Sequence, residues 1–582
     1  MRFLKVAVLT LAILLTVSAF VMPVSAAPNN GGTTGYYGGI LTYRISSRGT
    51  VSITKCNGAA SGAVEIPAEI DGVPVTSIAD YAFQHCKSIT SVYIPEGITG
   101  IGYSAFYGCT SLETVNIPST VEKIEYAAFY KCSALKSADI ADLAAWCSAS
   151  LDGEYATPAH ILGTLTVNGQ PVSSITVPDY VSKISDYAFY GCKTLTSVTL
   201  PETLEEIGEC AFYGCDGLAS ISVPDGVSVI GEGAFSDCDG LKELNIAAGN
   251  QKYSNKDGNL IELDTKTLIR GVDSGIIPTD GSVVRLGSYA FSGCSMISAS
   301  VPDCIVAIGA STYKDCKQLT TATVPSSVDV IRAGVFSGCE KLTSVTLPDT
   351  INLIGVSAFR DCTGLENIDL PASLGEIKDY AFANCVKLKS VTIPQAVKGI
   401  GGGVFDGCKS LSTIAVEKGN TRYGCDQNCL IDYKNGTLLR GTYKGTVPTD
   451  GSVKKIGYYA FSGCDNLTAV VIPDGVSEIG INAFLDCDNL KTVYCGSDEA
   501  TFKKVKKLEG NDVLKSAEML YNNTDIPVAN GDSDGNGSNG GLLGGGDGDG
   551  TDNWLWLGMG AGAVLIIAVA IVLVLKSRKK RS

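Results

Sequence analysis

Cysteine is the residue in this chain with the most chemistry on offer: there are 21, against two histidines, and fourteen of them close the phrase aromatic-x-x-Cys, from Phe83/Cys86 and Phe106/Cys109 to Phe461/Cys464 and Phe484/Cys487. Thiols in such numbers can bridge, hold a soft metal or run redox chemistry. The spacing argues against all three. One cysteine falls at one fixed position per phrase, and a free cysteine at a repeated inward position behaves as a small buried hydrophobe. Stacked strands lie ~4.8 Å apart, inside the distance window of a disulfide, but parallel side-chain vectors oppose the bond. The expectation is a column of dry, unpaired thiols.

Cys425 and Cys429 are a different case. They stand where a near-copy of the same segment carries Asn255 and Asn259, and two coordinated changes suggest one bond, so a local disulfide is expected there. A zinc pair would need two more ligands, and only His85 and His160 exist. Both histidines lack a catalytic partner and are read as surface residues. No metal or cofactor is expected. The stretch from Asp532 imitates the opening of a calcium loop, yet Leu543 stands where a bidentate glutamate belongs, so flexible linker is the reading. Lys503 to Lys507 (KKVKK) reads as the solvated face of a terminal capping helix, with an anionic partner as the alternative. Nucleophile elbows, zinc-protease helices, phosphate loops and dinucleotide fingerprints are all missing, and a binding protein rather than an enzyme is expected. A net charge of −15 speaks against nucleic acid as a partner.

One set of residues suits recognition. Tyr107, Tyr130, Tyr190 and Tyr213 each follow the aromatic residue of their phrase and should form a column. Such a stripe can grip a protein or stack on sugars. Packing between neighbouring units is the competing reading. The outer positions of the strands, such as Ser197, Thr199, Ser220 and Ser222, are small and polar and make a poor hot spot.

The elements that position these side chains follow from the period. Most phrases recur every 23 residues, with three longer gaps of 60, 56 and 56. A fixed period of this size is the mark of a solenoid. Within a unit, Val92-x-Ile94 before Pro95 reads as a short strand, Ile98-x-x-Ile101-Gly102 as the return turn, and Phe83-x-x-Cys86 as one helical or 3-10 turn. A unit this short cannot bury its apolar faces alone; stacked units bury them against each other and pair their strands into one continuous parallel sheet.

The letters Cys86-x-x-Ile89-x-x-Val92-x-Ile94-Pro95, with Ile101-Gly102 and Ala105-Phe106, resemble the BspA-type (Treponema pallidum-type) leucine-rich repeat of bacterial cell-surface proteins. The resemblance implies an α/β, strand-rich solenoid with terminal caps. It also implies binding of host or bacterial surface proteins or glycans.

The expected layout is a signal peptide at 1–26, a β cap at 27–79 and a solenoid at 80–494. The solenoid carries insertions near 133–175, 247–283 and 417–453, the first with a type I′ hairpin at Asn168-Gly169, and the last two are near-copies that record a duplication of about 170 residues. A closing cap at 495–523, a Gly/Asp-rich linker at 524–553, a transmembrane helix at 554–575 and a basic cytoplasmic tail at 576–582 complete it. The functional expectation is a single-pass membrane protein with a large extracellular region that adheres to or recognises ligands. A structural envelope spacer is the alternative, and a carbohydrate-active enzyme the least favoured reading.

Overall fold

The computed structural model describes residues 34–525. Each 23-residue unit forms one coil that contributes to two parallel β-ladders, where the sequence pointed to one. The first ladder runs through the Val-x-Ile strands: Ser61–Glu65, Ser88–Tyr93, Thr114–Ile117 and Ser137–Ile140 pair side by side, with Ser91 opposite Thr114. The second runs through the Ile-Gly positions expected to be plain turns. There Val73–Ile78, Gly100–Ile101, Lys123–Ile124 and Ser150–Leu151 pair in parallel, with Ile78 opposite Ile101 and Ile101 opposite Ile124. Beyond Val73–Ile78 these strands are two residues long and carry almost no periodicity of their own, which is why the sequence reads them as loop.

The third side of the coil is a turn, and it is not helical. Its backbone enters the left-handed region twice, at Tyr81 (φ 60°) and His85 (φ 58°) in one coil and at Ser104 (φ 50°) and Gly108 (φ 69°) in the next. A left-handed residue ends any right-handed helix, so the expected helical or 3-10 turn over Phe83-x-x-Cys86 does not form. The turn is instead bonded coil to coil: the Phe83 N–H donates to the Ala105 carbonyl at 2.7 Å and the Phe106 N–H to the Ala128 carbonyl at 2.8 Å. Buried backbone groups are therefore satisfied on this side as well. Among the described residues the α-helices are confined to the first insertion (Leu143–Ser148 and Ala159–Leu162) and the closing cap (Glu499–Phe502 and Val513–Ser516). The fold is a strand-rich parallel β-solenoid with few helices, which narrows the α/β expectation.

Inside the coils, Phe and Cys form two columns. Phe336, Phe359 and Phe382 stack with ring centroids 5.4 and 5.3 Å apart, all three fully buried. All described cysteines are free thiols, and every one of the fourteen repeat cysteines is buried, as expected. What the pattern alone does not disclose is their hydrogen bonding. Each thiol in a regular stack donates to the carbonyl of the preceding coil's aromatic residue: Cys109 to Phe83 at 3.0 Å, Cys339 to Tyr313 at 3.1 Å and Cys362 to Phe336 at 3.0 Å. A small apolar side chain would fill the slot, but only cysteine also supplies this donor without a strongly hydrated group to desolvate.

The ladders break at the insertions and also where a coil lacks a regular strand, as at residues 365–370, so the expected continuous sheet is a series of separate ones. In the two duplicated insertions, Tyr253–Lys256, Asn259–Glu262 and Thr267–Arg270, and again Tyr423–Asp426, Cys429–Asp432 and Thr437–Arg440, form antiparallel ribbons whose last strand rejoins the parallel ladder. Each ribbon ends in Arg-Gly. Gly271 lies flat on the Phe291 ring, where a Cβ would fall 1.9 Å from Cε1, so only glycine fits. Arg270 then takes over the thiol's task, its Nε donating to the Phe235 carbonyl at 2.9 Å. The expected hairpin in the first insertion is present, with Asn168 (φ 50°) and Gly169 (φ 74°) both left-handed.

The caps cover the open ends. Thr34–Tyr37, Leu41–Ile45 and Val51–Cys56 form the antiparallel N-terminal cap. At the other end the helix stops at Phe502, so KKVKK is not its solvated face: Lys506–Lys507 form an edge strand beside Glu478–Ile479. Lysines on an exposed edge discourage a further strand from adding. No helix among the described residues is long and apolar enough to cross a membrane. The expected signal peptide (1–26), most of the linker with the calcium-loop mimic, the 554–575 segment and the basic tail lie outside the described residues.

Candidate functional site

The structure assembles the four stripe tyrosines into a longer aromatic ladder. His85 meets Tyr107 edge-on at 5.2 Å, and Tyr107 lies 5.7 Å from Tyr130. The first insertion then supplies two rungs that sequence reasoning missed: Tyr155, 4.4 Å from Tyr130, and His160, 4.9 Å from Tyr155 and 5.3 Å from Tyr190. Tyr190 stacks on Tyr213 at 4.9 Å and 5°, and Tyr213 meets Tyr289 edge-on. Both histidines are exposed, as expected, and each also contributes a rung to the ladder. A signal for Tyr155 existed in principle, since the gap between Tyr130 and Tyr190 is long enough to hold extra rungs, but an insertion has no repeat register from which to read it.

Exposure divides the ladder. Tyr107, Tyr130 and Tyr190 are half-buried, whereas Tyr213 is only 5% exposed and its hydroxyl pairs with Ser292 Oγ at 3.2 Å. Burial accordingly pushes the Tyr213 phenol well above its usual range. Lys131 sits over both Tyr107 and Tyr130, 5.4 and 5.5 Å from the ring centres.

A second column runs beside the first and is more open. Tyr81, Tyr103 and Tyr126 are 50%, 38% and 39% exposed. Their rings lie 5.4 and 6.1 Å apart, and Tyr126 joins the ladder through Tyr155 at 5.8 Å. The two columns form one tyrosine-rich patch on the N-terminal coils. It is held on backbone bonded from coil to coil, for example Tyr81 N–H to the Tyr103 carbonyl at 2.9 Å and Ser104 N–H to the Tyr126 carbonyl at 3.0 Å.

At its C-terminal end the ladder opens into a cleft of about 800 Å³. The cleft is lined by His160, Tyr190 and the edge of the buried Tyr213, by Asp216, Asp237, Asp239, Asp273 and Asp315, and by Lys193 and Lys317. Burial, with Asp315, Asp239 and Asp216 nearby, pushes the Asp237 carboxyl up to about 6 against the opposing pull of Lys314. Among the described residues no group of three or more His, Cys, Asp or Glu side chains is arranged to hold a metal ion.

The expected Cys425–Cys429 disulfide is not formed. Cys425 pairs across the ribbon with Leu430, and Cys429 with Asp426. The two cysteines are therefore diagonal neighbours whose side chains leave opposite faces of the ribbon. Each thiol has its own partner, the Ile414 carbonyl at 2.8 Å for Cys425 and the Thr446 carbonyl at 3.1 Å for Cys429. These replace the bonds that Asn255 makes to the Leu244 carbonyl and Asn259 to the Ile276 carbonyl in the first ribbon. The paired substitution swaps amide donors for thiol donors.

No curated protein matches the chain. Among solved structures it is similar to a leucine rich cell surface protein from Faecalibacterium prausnitzii, 29% identical over 68% of this chain and 96% of that one, with a TM-score of 0.41. It is also similar to a leucine-rich repeat protein from Bacteroides ovatus, 25% identical over 83% of this chain and 98% of that one, with a TM-score of 0.31. The family model described as "BspA type Leucine rich repeat region" matches residues 66–146, 166–257, 284–412 and 445–527. Those segments make up more than half of the sequence and span the coils described above, and on that ground the chain belongs to the BspA-type leucine-rich repeat family.

Proposed function

We propose that this protein recognises protein or glycan ligands outside the cell through the tyrosine patch of its N-terminal coils. The observation that carries this reading is the exposed column Tyr81, Tyr103 and Tyr126, three large amphipathic rings at regular spacing on a rigid frame. Tyrosine offers wide contact area at low entropic cost, and a stacked coil holds it ready before the ligand arrives. The half-buried Tyr107, Tyr130 and Tyr190 belong to the neighbouring ladder, which meets the exposed column where Tyr155 contacts Tyr126. Tyr213 is packing, which is the part of the stripe that suits a spacer. The reading is of a binding protein rather than an enzyme, anchored in one pass by 554–575 with the basic tail in the cytoplasm.

The test uses cells displaying the full chain, probed on glycan arrays and immobilised matrix proteins. Replacing Tyr81, Tyr103 and Tyr126 together by alanine should abolish the strongest signal, while Tyr180→Ala, which removes a tyrosine that is 77% exposed elsewhere, should leave it intact. Unchanged binding by the triple variant to every surface would refute the patch.

A further inference from the structure

The duplicated blocks supply an internal comparison for the acidic cleft. The two insertions begin at Gly249 and Gly419, so a residue of the first block corresponds to the residue 170 further on in the second. Asp216, Asp237, Asp239 and Asp273 thus correspond to Val386, Gly407, Lys409 and Tyr443. The second block folds the same ribbon and coils without these four carboxylates, so the architecture does not require them.

What replaces Asp239 is informative. Lys409 carries its ammonium to Asp465 at 2.8 Å, and Asp486, which precedes its repeat cysteine as Asp315 does in a coil one residue shorter, adds to the field that holds the proton on it. The second block therefore has a cation of its own at this place. In the first block the corresponding ground holds carboxylates that are short of positive partners. Lys193 is engaged by Asp216 at 3.1 Å, and Lys317 by Glu340 at 3.5 Å. Asp237 and Asp239 have no ion-pair partner among the described residues. The cleft also contains a buried group that has lost its usual bond: Cys294 is 8% exposed and lines the cleft. Its thiol makes no bond to the Phe235 carbonyl, which Arg270 occupies instead.

We infer that the cleft between Tyr213 and Asp273 receives a lysine or arginine side chain from a basic segment of a partner protein, in the place that Lys409 fills within the second block. Carboxylates in a concave, partly dry site concentrate a cation far better than the same charges spread on a surface. Half-buried Tyr190, which lines the cleft, gives the aliphatic stem of such a side chain apolar surface to lie against while its charged head reaches the carboxylates. Arrival of the cation also relieves the repulsion among Asp216, Asp237, Asp239 and Asp315, which is the state that Asp237 resists when the cleft is empty. This inference stands apart from the tyrosine patch, whose exposed column Tyr81, Tyr103 and Tyr126 lies outside the cleft lining.

The experiment titrates a fluorescein-labelled peptide of alternating lysine and serine onto the full chain in detergent, followed by anisotropy at physiological salt. Asp239→Lys installs the second block's own cation at a position where that block shows the fold accepts it. It should weaken binding by about tenfold or more, because it replaces an attracting carboxylate by a repelling ammonium in the lining of a concave site. Glu65→Gln with Asp349→Asn changes the net charge by the same amount at exposed positions outside the cleft and should change affinity by no more than about twofold. Because Asp237 must give up its proton to serve, lowering the pH from about 7.5 to about 5 should also weaken binding by about tenfold. Equal loss in both variants, or an affinity indifferent to pH in this range, would overturn the inference. Displacement of the peptide by equimolar spermidine would likewise overturn it, by showing that any amine suffices.

Discussion

Phe359→Ala tests the claim that stacked columns, not individual coils, hold the solenoid together. Phe359 is fully buried and sandwiched between Phe336 and Phe382 at 5.4 and 5.3 Å, with ring planes 14° and 2° apart. Truncating a buried phenylalanine costs about 3–5 kcal/mol in lost transfer energy and residual cavity. Two aromatic contacts are lost with it, each worth about 0.5–1.5 kcal/mol beyond area, which places the expected cost near the top of that range. The surroundings cannot collapse to heal the void, because the coil backbone is pinned on both sides: the Phe359 N–H donates to the Ala381 carbonyl at 2.8 Å, and Cys385 donates its thiol to the Phe359 carbonyl at 3.2 Å. In a quasi-one-dimensional array each coil is stabilised by its neighbours, so a weak coil uncouples what lies on either side. Urea denaturation of residues 34–525, followed by hydrogen exchange resolved by segment, should show one transition splitting into two, with protection falling first around coils 336 to 382. A single transition shifted by less than about 1 kcal/mol would refute column stacking as the principal source of stability.

Two further outcomes follow from the same geometry. A bulky water-soluble maleimide should label Cys304 and Cys425, the two cysteines that are not fully buried, in the native protein, and all 21 after denaturation; rapid native labelling of most thiols would show that the columns are not dry. Asp237→Asn should stabilise the fold at neutral pH. A carboxyl whose folded pKa lies near 6, above its unfolded value of 3.8, binds more protons when folded, so stability is greatest below the unfolded value and falls as pH rises through the interval up to about 6. The loss amounts to about 2–3 kcal/mol by linkage, and Asn should abolish it in thermal melts between pH 4 and 7; a variant with the wild-type pH profile would show that Asp237 is not the strained group.

The Asp237 cluster also shows where reading a sequence stops. Asp216, Asp237, Asp239, Asp273 and Asp315 span about a hundred residues and three different local contexts, two of them on either side of an insertion. None is unusual where it stands, and acidic residues in turns are ordinary. They meet because the ribbon at 253–270 is inserted between the coils of Phe235 and Phe291 while Asp237 still donates its N–H to the Ser292 carbonyl at 3.3 Å. The same limit explains Tyr155 and His160, which complete the ladder from within an insertion, and Cys425 and Cys429, whose closeness in sequence suggested a bond that strand alternation forbids.

By itself, the sequence determined everything that depends on the period. Columns of Phe and Cys, their burial and the parallel strand at Val-x-Ile follow once coils of equal length lie in register, because identical letters must then stack, while the Asn168-Gly169 hairpin follows from its turn chemistry. Only the tertiary structure decided the second ladder at Ile-Gly, the thiol-to-carbonyl bonds, the division of tyrosines into exposed and packed columns, and the cleft. Those features rest on contacts between a coil and whatever the chain places next to it, and at an insertion that neighbour is set by how the ribbon packs, which no repeated letter encodes.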